Sequence, residues 1–162
     1  MPNHTDNRVI LSHADSQKID DIYNVMNTDD ANLLQHIIPM NEALLDGGDW
    51  YDWRLDNWGT KWDIYETHCT RIDANTLQLN FLTAWSPPIP VYDKLTDMGF
   101  DVHARYLDEG WMYVGEFDNG DDWSTDDIES IGEVRPELDD EFGISEMMLS
   151  QHLIGLNDAR GE

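Results

Sequence analysis

The run Thr76-Leu77-Gln78-Leu79-Asn80-Phe81-Leu82-Thr83 alternates apolar and polar side chains almost without a break. Successive side chains of a strand point to opposite faces, so Leu77, Leu79 and Phe81 share one face of a sheet, with Gln78 and Asn80 on the other. An apolar face of that kind has to be covered, and the sequence on either side predicts what covers it. Downstream, Ser86-Pro87-Pro88 sets a capping residue and prolines where a helix begins, because first-turn N–H groups have no helical partner to lose. The helix that follows carries Val91, Leu95 and Met98 on one side and stops at Gly99. Upstream, the β-branched stretch Arg8–Ser12 reads as a first strand. Asp15 or Ser16 then caps a helix running to about Asn27, whose inner face is Ile19, Ile22, Tyr23 and Met26.

The remaining segments fall between these anchors. Leu33–Met40 is apolar but interrupted by Pro39, and Asp46-Gly47-Gly48-Asp49 is a break. Lys61–Tyr65 reads as a brief strand, and Phe100–Leu107 and Trp111–Phe117 as two more, joined by a turn at Asp108-Glu109-Gly110. The order is strand, helix, strand, strand, helix, strand, strand. It predicts an α+β fold close to the split βαβ, ferredoxin-like plan: an antiparallel sheet with helices on one face. Composition changes after Phe117, which divides the chain into a ferredoxin-like domain (residues 1–117) and an acidic C-terminal extension (residues 118–162) packed on or appended to it. Met147, Met148, Leu149, Leu153 and Ile154 offer a closing helix within that extension.

Gly48–Asp63 holds four of the chain's seven tryptophans. The spacing of Trp50, Trp53 and Trp58 suits a short amphipathic helix that Gly59 ends. Platforms that stack bases pair their aromatics with Arg and Lys. Here Asp49, Asp52, Asp56 and Asp63 surround the rings instead. Trp50, Trp53, Trp58, Trp62 and Trp85 are therefore read as a structural aromatic cluster, burying large rings and bonding through the indole N–H.

Charge is the extreme feature: 34 Asp and Glu against 9 Lys and Arg, a formal net charge of -25. Thirteen acids lie between Glu116 and Glu146, opposed only by Arg135. Such a surface repels nucleic acid, which is bound through cations that displace counterions from phosphate. It repels anionic membranes equally. A basic protein, itself a nucleic-acid binder in the sharpest version, is the partner this charge predicts; direct nucleic-acid and membrane binding are not expected. Acidity that serves only solubility or salt tolerance is the rival explanation. Oligomeric state is not legible. One cysteine, Cys69, forms no internal disulfide; Met1–Asp6 lacks the basic and apolar regions of a signal peptide; no apolar run approaches the roughly 20 residues that span a bilayer. A cytoplasmic protein is the expectation.

Several stretches are shared with a known family. Met1-Pro2-Asn3 with Asn7, Ile37-Ile38-Pro39-Met40, Trp50-Tyr51-Asp52-Trp53, Asn57-Trp58-Gly59-Thr60-Lys61-Trp62, Thr83-Ala84-Trp85-Ser86-Pro87-Pro88 and Trp111-Met112-Tyr113-Val114-Gly115 resemble, in order, the YubB-type ferredoxin-like domain family. The resemblance runs from Met1 to about Phe117 and leaves the acidic tail outside. It implies a ferredoxin-like fold and an origin in phages, plasmids or related mobile elements, and it carries over no catalytic or cofactor residue.

Candidate sites follow from charge rather than from catalytic motifs. Asp118–Glu129 has the length of a calcium loop, but Trp123 stands at the position where the turn demands glycine and Gly120 replaces a ligand. The six histidines show no metal-ligand spacing, and His68 beside Cys69 is sequence adjacency, not a catalytic pair. No catalytic residue, metal or cofactor is expected. The candidate partner-binding residues are Asp121, Asp122, Asp126, Asp127, Glu137, Asp139, Asp140 and Glu141. The reading is a non-enzymatic, acidic accessory protein that binds a basic host protein, in its sharpest form a DNA mimic inhibiting a defence factor, nuclease or transcription factor. The alternative is a small ligand-binding module or enzyme built on a ferredoxin-like sheet.

Overall fold

The computed structural model describes residues 3–128, 131 and 135–146. Its spine is β1 (His4–Ser12), followed by α1 (Ser16–Met26), and then three short helices, α2 (Leu33–Ile37), α3 (Ala43–Gly47) and α4 (Trp50–Asn57). The hairpin of β2 (Tyr65–Asp73) and β3 (Thr76–Ala84) comes next, then α5 (Ile89–Asp97), β4 (Asp101–Asp108), β5 (Val114–Asp118) and β6 (Asp121–Thr125). Pro136–Phe142 is a last helix, α6. The six strands form one sheet in the order β2-β3-β1-β4-β5-β6, with every neighbouring pair antiparallel. The first four positions of that order are the split βαβ arrangement, so the fold is α+β and ferredoxin-like, and β5 and β6 lengthen the sheet beyond β4.

The alternation of residues 76–83 fixes which face is covered. Leu77, Leu79 and Phe81 are buried with Val9 and Leu11 of β1 and Val102 and Ala104 of β4. Against them lie Ile19, Ile22 and Met26 of α1, Val91, Tyr92 and Leu95 of α5, and Leu33, Leu34 and Ile37 of α2. Each such side chain contributes about 1.5–3 kcal/mol when taken fully from water, so this layer is the main source of stability. Asp15 caps α1 by accepting from the Gln17 N–H at 3.0 Å. Met98, expected on the inner side of α5, is instead its C-cap and 40% exposed; Tyr92 fills the place.

Three elements depart from the sequence expectation. Lys61–Ile64 is not a strand: the Asp63 carboxylate accepts from the N–H groups of Leu34, Gln35 and Ile64, which holds this segment against the start of α2. The strand begins at Tyr65 and runs to Asp73 as an edge, interrupted by a bulge between Tyr65 and His68, where Glu66 has φ 50°. Past Phe117 the chain turns at Asn119 (φ 47°) and Gly120 (φ 103°) and returns as β6. Gly115 of β5 has no room for a side chain: a Cβ there would lie 2.5 Å from both the Tyr106 hydroxyl oxygen and the Trp123 carbonyl oxygen. The described residues beyond β6 lie against the other face of the sheet. Ile128, Ile131, Leu138, Phe142 and Ile144 form a second apolar cluster there with Leu107 and Val114. The closing helix expected at 147–154 lies outside the described residues.

Candidate functional site

The face opposite α1 and α5 carries the chemistry. Pairing register places Asn80, Arg8, Arg105, Glu116 and Trp123 in one row across β3, β1, β4, β5 and β6. Arg8 and Arg105 are directly opposite each other, which like charges resist. Glu141 of α6 resolves the conflict. Its backbone carbonyl accepts from Arg8 Nη1 at 2.7 Å, and its carboxylate lies 3.5 Å from Arg8 Nη1 and 3.6 Å from Arg105 Nη1. Asp6 adds a second carboxylate 3.1 Å from Arg8 Nη2, and the Phe142 ring lies 4.7 Å from the guanidinium carbon. Arg135 pairs with Glu116 and lies over the Trp123 ring at 4.2 Å. The C-terminal segment is therefore tied to the sheet by ion pairs as well as by its apolar cluster.

α6 covers only the β4–β5 side. Over β1, β3 and the beginning of β2 the same face is open, leaving a cleft of about 930 Å3. Trp62, Tyr65 and Leu82 supply its apolar surface, and His4, Asp6, Arg8, Glu66, His68 and Asn80 its polar groups. The His4 ring nitrogen and the Tyr65 hydroxyl are hydrogen-bonded, with the rings edge-on at 5.3 Å. Burial, reinforced by Glu109, pushes the Tyr65 phenol up. Asp63 also lines the cleft, and burial raises its carboxyl despite the three N–H groups that favour its charge. Asn80 Oδ1 is buried and finds no hydrogen-bond partner among the described residues.

The tryptophans divide into two groups. Trp58 is 2% exposed, donates its indole N–H to the Ile38 carbonyl at 2.8 Å and meets Trp53 edge-on at 5.7 Å. Arg54 lies over the rings of Trp50 and Trp58 at 4.9 and 5.1 Å, and burial lowers its pKa. Trp62 and Trp85 do not join this buried group. Trp62 lines the cleft, and Trp85, with φ 70°, is 40% exposed; the Lys61 ammonium lies 4.9 Å from one ring and 5.1 Å from the other. The positive φ at residue 85 turns the chain out of β3 and carries that ring to the surface.

The eight candidate acids do not form one patch. Asp122 points to the helix side of the sheet and accepts from the Tyr106 hydroxyl at 2.5 Å. Its neighbour Asp121 is on the other face by strand alternation and is exposed. Asp126, Asp127 and Asp140 are exposed, and Glu137 is half-buried. Asp139 accepts from the backbone N–H and hydroxyl of Ser145, both at 2.6 Å, and these bonds hold its carboxyl below the ordinary carboxylate value. Glu141 is half-buried in the arginine pairs described above.

A buried polar network on the helix side had no place in the sequence reading. Asn7 donates to Thr83 Oγ1 at 2.9 Å and accepts from the Tyr92 hydroxyl at 3.0 Å; Thr5 Oγ1 and the Tyr113 hydroxyl are 2.5 Å apart. Burial pushes Tyr113 up to about 12. The visible signal was Thr5, Asn7 and Thr83 standing at inward positions of β1 and β3. His68 and Cys69 project to opposite faces, and burial raises the Cys69 thiol. No group of three or more His, Cys, Asp or Glu among the described residues is placed to hold a metal ion. No described helix is long and apolar enough to cross a membrane.

The sheet order and the paired helices define a ferredoxin-like protein with its second face half covered by its own C-terminal segment. The chain belongs to the family described as the ferredoxin-like domain in Api92-like protein, whose profile matches residues 61–147. The matched range takes in β2 to β6 together with α5 and α6. The crystal structure of a protein api92 from Yersinia pseudotuberculosis is similar at 20% identity and a TM-score of 0.46, over 59% of this chain and 39% of that one. This chain thus spans well under half the length of that protein. No curated protein matches the chain.

Proposed function

We propose that the chain is a non-enzymatic accessory protein of a phage or plasmid whose acidic exterior binds a basic surface of a host protein in the cytoplasm. One observation carries this reading: most cations are engaged by carboxylates or rings, and among the described residues Lys18 and Lys94 are the exposed ones, against many exposed acids. Among the described residues, Arg8, Arg71, Arg105 and Arg135 each pair with a carboxylate, and Arg54 is packed on tryptophan rings. Exposed acids, by contrast, stand on α1 (Asp20, Asp21), α3 (Asp46), α4 (Asp52, Asp56), β2 (Glu66, Asp73), α5 (Asp93, Asp97) and every later element through Asp140 of α6. The resemblance of residues 1–117 to YubB-type domains supports the mobile-element origin.

Because acid covers so many elements, the broad polyanionic reading is favoured over a DNA-mimicking strip confined to residues 121–141. Pull-down from host lysate across a salt series tests it. Basic proteins should be captured at low salt and released as the screening length falls toward about 3 Å at 1 M. Substituting Asp121, Asp126 and Asp140 with Asn should weaken capture. Competition by duplex DNA for the same partner would restore the mimicry form. Capture of proteins that are not basic, or capture indifferent to salt, would remove the proposal.

A further inference from the structure

We infer that the cleft over β1, β3 and the start of β2 receives an arginine side chain presented by the basic partner, an inference that rests on the acidic-exterior reading above. The lining argues for a cation. Among the residues lining the cleft Arg8 is the permanent cation, and Asp6 and Glu141 already hold it. Asp63 and Glu66 bring further carboxylates to the walls, and the Lys61 ammonium lies outside the lining against Trp62. An anionic ligand would enter against that balance. The lining also argues for a flat cation. Trp62 and Tyr65 offer rings on which a guanidinium plane stacks, whereas an ammonium is a compact, strongly hydrated point charge.

Hydrogen bonding points the same way. Asn80 lines the cleft, and its side-chain carbonyl oxygen is buried without a partner among the described residues, a state that calls for a donor. A guanidinium brings five N–H donors in a fixed fork and has no acceptor to leave unsatisfied. The volume of about 930 Å3 admits the side chain together with the segment that carries it.

The test uses the full chain and two labelled peptides of equal charge, one carrying arginines spaced by Gly-Ser and one with lysine at each of those positions. Binding is read by fluorescence anisotropy at low salt. The arginine peptide should bind about tenfold more tightly than the lysine peptide. Trp62→Ala, which removes the stacking ring, should abolish that preference while leaving lysine-peptide affinity unchanged, since no exposed acid is altered. Asn80→Leu, which removes the unpartnered carbonyl oxygen, should do the same and serves if Trp62→Ala does not fold. Equal affinity for the two peptides, or a preference that survives both substitutions, overturns the arginine site and leaves the acidic exterior standing. Failure of both peptides to bind overturns both proposals.

Discussion

Replacing Trp58 by alanine removes the side chain on which the helical layer closes. The ring is 2% exposed, packed among the buried residues of the main core, edge-on to Trp53 and beneath the Arg54 guanidinium. Loss of a buried ring of this size costs about 3–5 kcal/mol, from lost transfer energy and from the cavity left behind. Roughly 1 kcal/mol of that belongs to the Ile38 carbonyl, which loses the indole N–H it accepts at 2.8 Å. Trp58→Phe separates the two contributions, because it keeps most of the apolar ring and removes the donor; about 1–2 kcal/mol is expected. For a domain of this size each kcal/mol moves the thermal midpoint by about 2–4 °C, so Trp58→Ala should lower it by about 6–20 °C. Urea unfolding followed by far-UV circular dichroism should show the matching midpoint shift at unchanged slope. An unchanged midpoint would place Trp58 outside the core and refute the anchor reading of the aromatic run.

Three further outcomes follow from particular contacts. Gly115→Ala should destabilise by about 1–3 kcal/mol or more, since its Cβ meets the Trp123 carbonyl across the β5–β6 pairing; wild-type stability in urea would show that the strands are farther apart. A chain ending at Asp118 should keep the β1–β5 part of its sheet but, lacking β6 and α6, lose about 3–6 kcal/mol through exposure of Leu107 and Val114, measured by the same unfolding. Asp139 has a folded pKa below its unfolded value, so its contribution is fully present above about pH 4 and is lost as pH falls through the folded value. Exchange of the Ser145 amide should accelerate over that acid window beyond its intrinsic pH dependence, and Asp139→Asn should remove the pH-dependent part.

What could be read from the sequence was what is decided locally or by strong periodicity. Residues 76–83 alternate because one face is buried and the other is not, and Pro87-Pro88 marks a helix start by local geometry alone. β2 was cut short because an edge strand is half-exposed along its length, so Thr67, His68, Cys69 and Thr70 carry little pattern. β6 was obscured by its charge, although Asn119-Gly120 is the dipeptide that a two-residue hairpin turn favours. Pro136 at a helix start, with Leu138 and Phe142 four apart, likewise marked α6 within the acidic run. The role of Glu141 was not legible in the same way. It depends on a strand pairing that sets Arg8 opposite Arg105, and on a segment 133 residues from Arg8 crossing the sheet to reach both. The cleft is likewise a product of register: Asp6, Asn80 and Leu82 become neighbours only when β1 and β3 pair as they do.

The salt dependence of affinity between the full chain and its captured partner tests the acidic-exterior reading most directly. Binding titrations in rising salt should show the logarithm of the affinity falling steadily. The fall should become shallower when Asp121, Asp126 and Asp140 are replaced by Asn. Affinity that stays level from low to high salt, or a slope untouched by those replacements, would contradict the account.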